Sequence, residues 1–326
     1  MRSCEILRLL CLVLAACALS TGGAPVAAVG NRTFDTIADA IKEDGGLIVL
    51  LSDVSDSRPV YVKTAFWGGP EDSVTLDLAG HTITGTDASK PVVENDGDLT
   101  IIDSVGGGKI TRSVAATNSG GGIKNYGTLT FAGGMITGCD TAGDGGGIMN
   151  YATLVFSGGS IVDCNSRYGA GISNSGSVNS KKADLTMTGG TIRGCVASAD
   201  GGGIYACYTM RISGGEICDC IASSGGAIKI ELGTHSISGG RFSGSIDFNR
   251  GTFNLTGGLY DDIAAQGTAV TRHISKGYEI VANDDPQTVS SYGWKIATVE
   301  VPPDPPPQPP PEQPEEKGHG FLLILR

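Results

Sequence analysis

The feature that most restricts how this chain can fold is its repetition. Thr128-Leu129-Thr130-Phe131-Ala132-Gly133-Gly134-Met135-Ile136 recurs as Thr153-Leu154-Val155-Phe156-Ser157-Gly158-Gly159-Ser160-Ile161, and further copies begin at Asp184, Thr209, Thr234 and Thr252. An earlier copy runs from Thr75 to Ile83 and a looser one starts at Asp98. A second motif keeps phase with the first, as Gly121-Gly122-Ile123, Gly146-Gly147-Ile148, Ala170-Gly171-Ile172, Gly202-Gly203-Ile204 and Gly226-Ala227-Ile228. Each period holds short runs that alternate apolar and polar residues, separated by glycines, and helical spacing is absent. A unit of ~25 residues cannot bury its apolar face alone, so neighbours must stack. The expected fold is therefore all-β, a parallel β-helix solenoid over residues 33–300.

Stacking turns equal positions into columns, one coil every ~4.8 Å, so eight copies make a rod on the order of 40 Å long. The expected inward columns are Leu76, Leu99, Leu129, Leu154, Leu185, Met210 and Phe253, then Leu78, Ile101, Phe131, Phe156, Met187, Ile212, Ile237 and Leu255, then Ile83, Ile110, Ile136, Ile161, Ile192, Ile217 and Phe242. Asn125, Asn150 and Asn174 predict an amide ladder at a turn, and the Gly-Gly pairs predict corners with positive φ or close backbone approach. Phe34, Ile37, Ala38 and Ile41 have helical spacing, which predicts a capping helix over 33–42 that covers the open sheet edge of the first coil. Residues 178–183, with Lys181 and Lys182, are an insertion placed on a corner.

The two ends fall outside the repeats. Arg2 and Arg8 followed by an apolar run and small residues give a secretory leader over 1–28, too short to span a bilayer. Leu14-Ala15-Ala16-Cys17 fits a lipobox that would lipidate Cys17; Ala16-Cys17-Ala18 and Val26-Ala27-Ala28 fit ordinary cleavage. Nine of the 14 prolines fall between Pro302 and Pro314, so 301–316 reads as a polyproline spacer before a short tail, 317–326. The chain is thus expected outside the cell or at its surface, as a monomer. Its 51 glycines follow no collagen period, and its 40% hydrophobic content excludes wholesale disorder. A balance of 23 basic against 34 acidic residues argues against nucleic acid as a partner.

The repeats, with Leu78-Ala79-Gly80-His81-Thr82-Ile83 and the GGI motifs, resemble the right-handed parallel β-helix of exported bacterial surface proteins in the pectin-lyase-like superfamily. Gly277-Tyr278-Glu279-Ile280-Val281-Ala282-Asn283-Asp284-Asp285-Pro286 and Tyr292-Gly293-Trp294-Lys295-Ile296 are similar to the closing stretch of such domains in gut bacteria. The resemblance covers about residues 33–300. It implies the fold and export, and adhesin-like roles are usually inferred for the group. Enzymes of this superfamily place an acidic cluster, often with calcium, and a basic residue on the outside of one sheet.

Candidate chemistry can be placed on the columns. Asp163, Asp219 and Asp262 share one, at alternate coils, and Arg193, Glu216 and Arg241 lie beside it. Asp163, Arg193, Glu216, Asp219 and Arg241 are the catalytic candidates if the chain is a polysaccharide lyase or glycoside hydrolase, with calcium as its cofactor. Carboxylates two coils apart are ~9.6 Å apart at the backbone, too far to share one calcium ion. Surface solvation with a Glu216–Arg241 ion pair is the simpler reading. Cys139, Cys164, Cys195 and Cys220 share a column; Cys139 with Cys164 and Cys195 with Cys220 are candidate disulfides, and a ladder of free thiols is the alternative. No histidine lies near them in the repeat, so no metal site is expected. His235 stands in an apolar column and reads as a buried, neutral histidine. Tyr126 and Tyr151 stack outward, either as a structural pair or to hold a sugar. A threonine column, Thr75, Thr128, Thr153, Thr209, Thr234 and Thr252, resembles an ice-binding face, but the next column is too irregular to be flat. The expectation is a binding or adhesion protein for a host or matrix glycan or protein, without catalysis.

Overall fold

The computed structural model describes residues 24–43, 46–63, 73–178, 181–261 and 272–299. It is a parallel β-helix. Two sheets of eleven strands and one of eight run its length, and each coil contributes a strand to each in turn. Sheet I carries Thr128–Phe131, Thr153–Phe156, Asp184–Met187 and their equivalents, sheet II Met135–Thr137, Ser160–Val162 and Thr191–Arg193, and sheet III Ile123–Asn125, Ile148–Asn150 and Ile172–Asn174.

Equal letters do sit over one another. Leu129 pairs with Leu154 and Leu154 with Leu185, while Phe131, Phe156 and Met187 form the next row. Their side chains are fully buried in one continuous core. Phe131 and Phe156 stack with centroids 5.6 Å apart, and Phe242 and Tyr260 do the same at 5.4 Å. The two glycines of each sheet I corner divide the work that the sequence assigns to the pair. At Gly159 φ is +72°, whereas a Cβ on Gly158 would lie 2.4 Å from the Ala132 carbonyl oxygen.

One register differs from the expectation. Val74 pairs with Leu99, Thr75 with Thr100 and Leu76 with Ile101, so the first sheet I repeat is shifted by two residues. Thr75 therefore belongs beside Thr100 and Thr130, not Thr128, and Leu78 leaves the strand to fill the corner inside Gly108 and Gly134. The reason is a differently built corner: Asp77, buried, accepts the Ala79 and Ser104 amides, and Asp103 accepts those of Gly80, Gly106 and Gly108. Carboxylates replace the Gly-Gly turn there.

The amide ladder is one residue longer than expected. Asn95 donates to Asn125, Asn125 to Asn150 and Asn150 to Asn174, at 2.8, 2.8 and 2.7 Å, and all four side chains are fully buried. Asn174 closes the chain on the Thr209 carbonyl, 2.8 Å away. His235 is buried in the sheet I column between Met210 and Phe253. Its Nε2 lies 3.0 Å from the Leu232 carbonyl oxygen, Nδ1 has no partner among the described residues, and burial lowers its pKa.

Both ends reverse strand direction. Ala27–Val29 pairs antiparallel with Arg32–Phe34 and with Gly46–Leu50. Ala27 and Ala28 are wholly buried, so the fold begins before residue 28 and a cut after Val26-Ala27-Ala28 would remove a strand. The helix is Ile37–Glu43 rather than 33–42, because Thr33 and Phe34 are in a strand and the Thr36 hydroxyl caps the helix by accepting the Asp39 amide at 3.0 Å. Ile37, Ala40 and Ile41 face the core while Ala38 is exposed. The far end is closed by a hairpin, Tyr278–Ala282 with Trp294–Thr298, whose second strand pairs antiparallel with Leu259–Tyr260. The insertion forms a small hairpin, Ser177–Val178 with Lys181–Lys182. Cys17, the spacer over 301–316 and the tail over 317–326 lie outside the described residues.

Two measurements test this fold. Asn150→Ala interrupts the ladder and leaves buried amide groups on both neighbours unmatched, so urea unfolding should show a loss of roughly 2–4 kcal/mol. His235→Leu restores the apolar column and removes an unsatisfied nitrogen, so it should unfold at higher denaturant. Because burial lowers the folded-state pKa, the unfolded chain binds the proton more readily. Wild-type stability should then fall as pH drops below about 6.5 toward that lowered value, and His235→Leu should flatten this slope.

Candidate functional site

Two outward faces carry the candidate residues, and they are built differently. On sheet II, Asp163 and Asp219 occupy the turn after the strand with φ of +53° and +54°. Gly138, Gly194 and Gly244 hold the same left-handed position on the coils between and beyond, at +58°, +66° and +98°. The alternation of Asp and Gly is thus a backbone requirement, since these residue types tolerate that conformation best. It also provides space: a Cβ on Gly194 would lie 2.2 Å from the Asp163 carboxylate. Asp262 lies outside the described residues.

The rest of that face is committed to structure. Glu216 and Arg241 are register partners with Nη2 and Oε2 3.9 Å apart. The Tyr292 hydroxyl, arriving from the terminal hairpin, donates to the other Glu216 oxygen. Arg193 is exposed beside Cys218, whose thiol is pushed up to about 11 by burial and then by the nearby Asp219 and Glu216 carboxylates. Among the described residues no three His, Cys, Asp or Glu side chains converge to hold a metal ion. Asp163, Arg193, Glu216, Asp219 and Arg241 share this face, where Glu216 is engaged by Arg241 and Tyr292 and the two aspartates sit at left-handed turn positions.

Cys139, Cys164, Cys195 and Cys220 are buried and free, not bridged in pairs. Each thiol turns to the carbonyl two residues before it, at 3.3–3.6 Å, and toward an isoleucine carbonyl on the preceding coil. Sheet I has no flat hydroxyl face, since the Arg211–Asp184 ion pair at 2.7 Å stands across its columns.

The sheet III side is the richer one. Tyr126 and Tyr151 stack with centroids 4.7 Å apart and 20° between planes. The far side of Tyr151 lies on Gly176, where a Cβ would stand 2.0 Å from the ring. With one ring face on Tyr126 and the other on Gly176, Tyr151 cannot stack on a sugar; its edge and hydroxyl remain. Lys124 holds its ammonium 5.5 and 5.9 Å from the two ring centres. Burial works against that charge, but a hydrogen bond to Tyr126 and the nearby Tyr151 and Glu94 raise the Lys124 pKa on balance.

Residues that the repeat pattern did not single out extend the face. Tyr168 and Tyr205 meet at 4.9 Å, tilted by 41°. Arg167 lies 5.0 Å over Tyr168, Lys63 5.2 Å over Tyr61 and Lys182 5.6 Å over Tyr208. Tyr61 donates to Asp96 at 2.5 Å, and that bond and burial push its phenol up to about 12. Burial raises the carboxyl pKa of Glu94 and Asp144. Met149 and Ser173, which occupy the outward row of this sheet, are nevertheless buried. Part of the signal was legible: Tyr205 takes the position after Gly-Gly-Ile that Lys124 takes on an earlier coil. Tyr168 had none, because its column partners Asp144 and Asp200 are unlike it.

The backbone reading of the sheet II face is tested by paired substitutions. Asp219→Gly should leave the unfolding midpoint nearly unchanged, whereas Asp219→Val should cost about 1–2 kcal/mol, because only the second penalises positive φ.

No family profile, curated protein or solved structure matches this chain.

Proposed function

We propose that the protein is an exported, surface-displayed β-helix that binds a host or matrix glycan or protein and catalyses no reaction. Kinship with the pectin-lyase-like surface proteins of bacteria belongs to the same proposal. The observation that carries it is the contrast between the two faces. The sheet II carboxylates are explained by turn geometry and by Tyr292 and Arg241. The sheet III side offers preformed phenols and cations on a rigid scaffold, and rigidity of this kind lowers the ordering cost of binding. The N-terminal leader read from Arg2, Arg8 and the apolar run after them, with or without a lipid on Cys17, supplies export.

The competing reading, a lyase or hydrolase with calcium, is separated by experiment. The full chain should release no unsaturated or reducing ends from acidic polysaccharides, with or without calcium, and should bind members of a glycan or matrix-protein array. Turnover that disappears in Asp219→Gly, which keeps the fold, would establish the enzyme instead.

A further inference from the structure

The charge arrangement on the sheet III side says what kind of ligand it suits. The chain carries a net charge of −11, so each cation has many carboxylates to choose from. On other faces they do pair: Arg211 with Asp184, Arg241 with Glu216 and Lys295 with Asp284. Lys63, Lys124, Arg167 and Lys182 instead lie over tyrosine rings, and among the described residues none of them has a carboxylate within ion-pair distance. A ring face holds a cation in place without neutralising it.

The acidic groups of the same side are engaged elsewhere or muted. Asp96 takes the Tyr61 hydroxyl, Asp247 takes the Ser224 hydroxyl and the Gly225 amide, and Glu231 takes the Asn249 amide. Glu94 and Asp144 are half-buried, Glu94 near Lys124 and Asp144 within electrostatic reach of Arg167. The positive heads are thus fixed and available, while the negative ones, apart from half-buried Asp200 in the Tyr168 column, are internally satisfied or withdrawn.

We infer that this side binds a glycan bearing carboxylate or sulfate groups, with Lys124, Arg167 and Lys182 meeting the anions and the tyrosine hydroxyls meeting the sugar hydroxyls. The inference rests on the binding function proposed above and narrows it. An acidic peptide would offer the same anions but not the sugar hydroxyls that the tyrosine hydroxyls suit, and the deglycosylated polypeptide below separates it. Two cavities lie away from Lys124, Arg167 and Lys182, although the first reaches Tyr61. One, of about 300 Å³, sits under the capping helix beside Val54 and Ile83; the other, of about 540 Å³, lies along the glycine corners beside Lys295. The tyrosine rings use their faces on one another, on Gly176 and on the cations, so the accessible part is polar.

The test uses the full chain on a biosensor coated with mucin in four forms: native, sialidase-treated, chemically desulfated, and stripped of both groups. Native mucin should bind, the doubly treated form at least tenfold more weakly, and the two single treatments show which anion matters. Lys124→Gln with Arg167→Gln should weaken native binding by a similar factor. Lys182→Gln, on an exposed hairpin, should do so in part without risk to the fold, and added salt should weaken binding of the wild type. Equal binding to native and doubly treated mucin would overturn the anion requirement while leaving glycan binding intact. Binding only to deglycosylated mucin polypeptide would overturn it in favour of a protein ligand. Wild-type affinity in both variants would overturn the assignment to this side. Absence of binding to any form would count against both this inference and the function beneath it.

Discussion

The structure depends on the in-register hydrogen bonding of each coil to the next. Parallel pairing places the same position of successive repeats in contact, so a residue's principal neighbour is its own counterpart one coil away. Side chains that gain from self-contact are therefore favoured inside: phenylalanine on phenylalanine, isoleucine on isoleucine, asparagine donating to asparagine. The Asn95–Asn174 ladder shows how far this goes, since each interior amide accepts from one neighbour and donates to the other. A buried polar group that would be costly alone becomes favourable by repetition.

Repetition also decides what could be read in advance. Sheet membership, the three inward columns from Leu99 onward and the ladder from Asn125 were legible because a buried position has few acceptable residues and the same ones return. The first coil was misread by two positions because its glycines and apolar residues mimic the later motif while Asp77 and Asp103 build a different corner. Asn95 was missed for a related reason: it follows Val93-Glu94 and lacks the glycine pair that marks its counterparts. The helix was misplaced by a turn, since the apolar spacing alone does not reveal that the preceding strand reaches Phe34 and that Thr36 is the cap.

The outward positions were much less legible. The core does not constrain that row, so Lys124, Met149, Ser173 and Tyr205 share it without resembling one another, although Met149 and Ser173 are buried there. Tyr126 and Tyr151 could be paired from their spacing, but not the consequence of Gly176, which occupies the ring face a sugar would have used. Nor could the alternation of Asp163 and Asp219 with glycine be told from a catalytic column until φ was known. Chemistry that repeats for backbone reasons and chemistry that repeats for a ligand look alike in sequence.

The closed ends have a further meaning for the architecture. Because the antiparallel strands at Ala27–Val29 and Trp294–Thr298 terminate the stack without depending on how many coils lie between them, the number of interior turns is a free variable. Duplication or loss of one repeat in the gene would lengthen or shorten the rod by a single step and leave both termini competent. Reach, and the count of tandem contacts offered to a polymeric target, can then be adjusted in evolution without inventing a new fold.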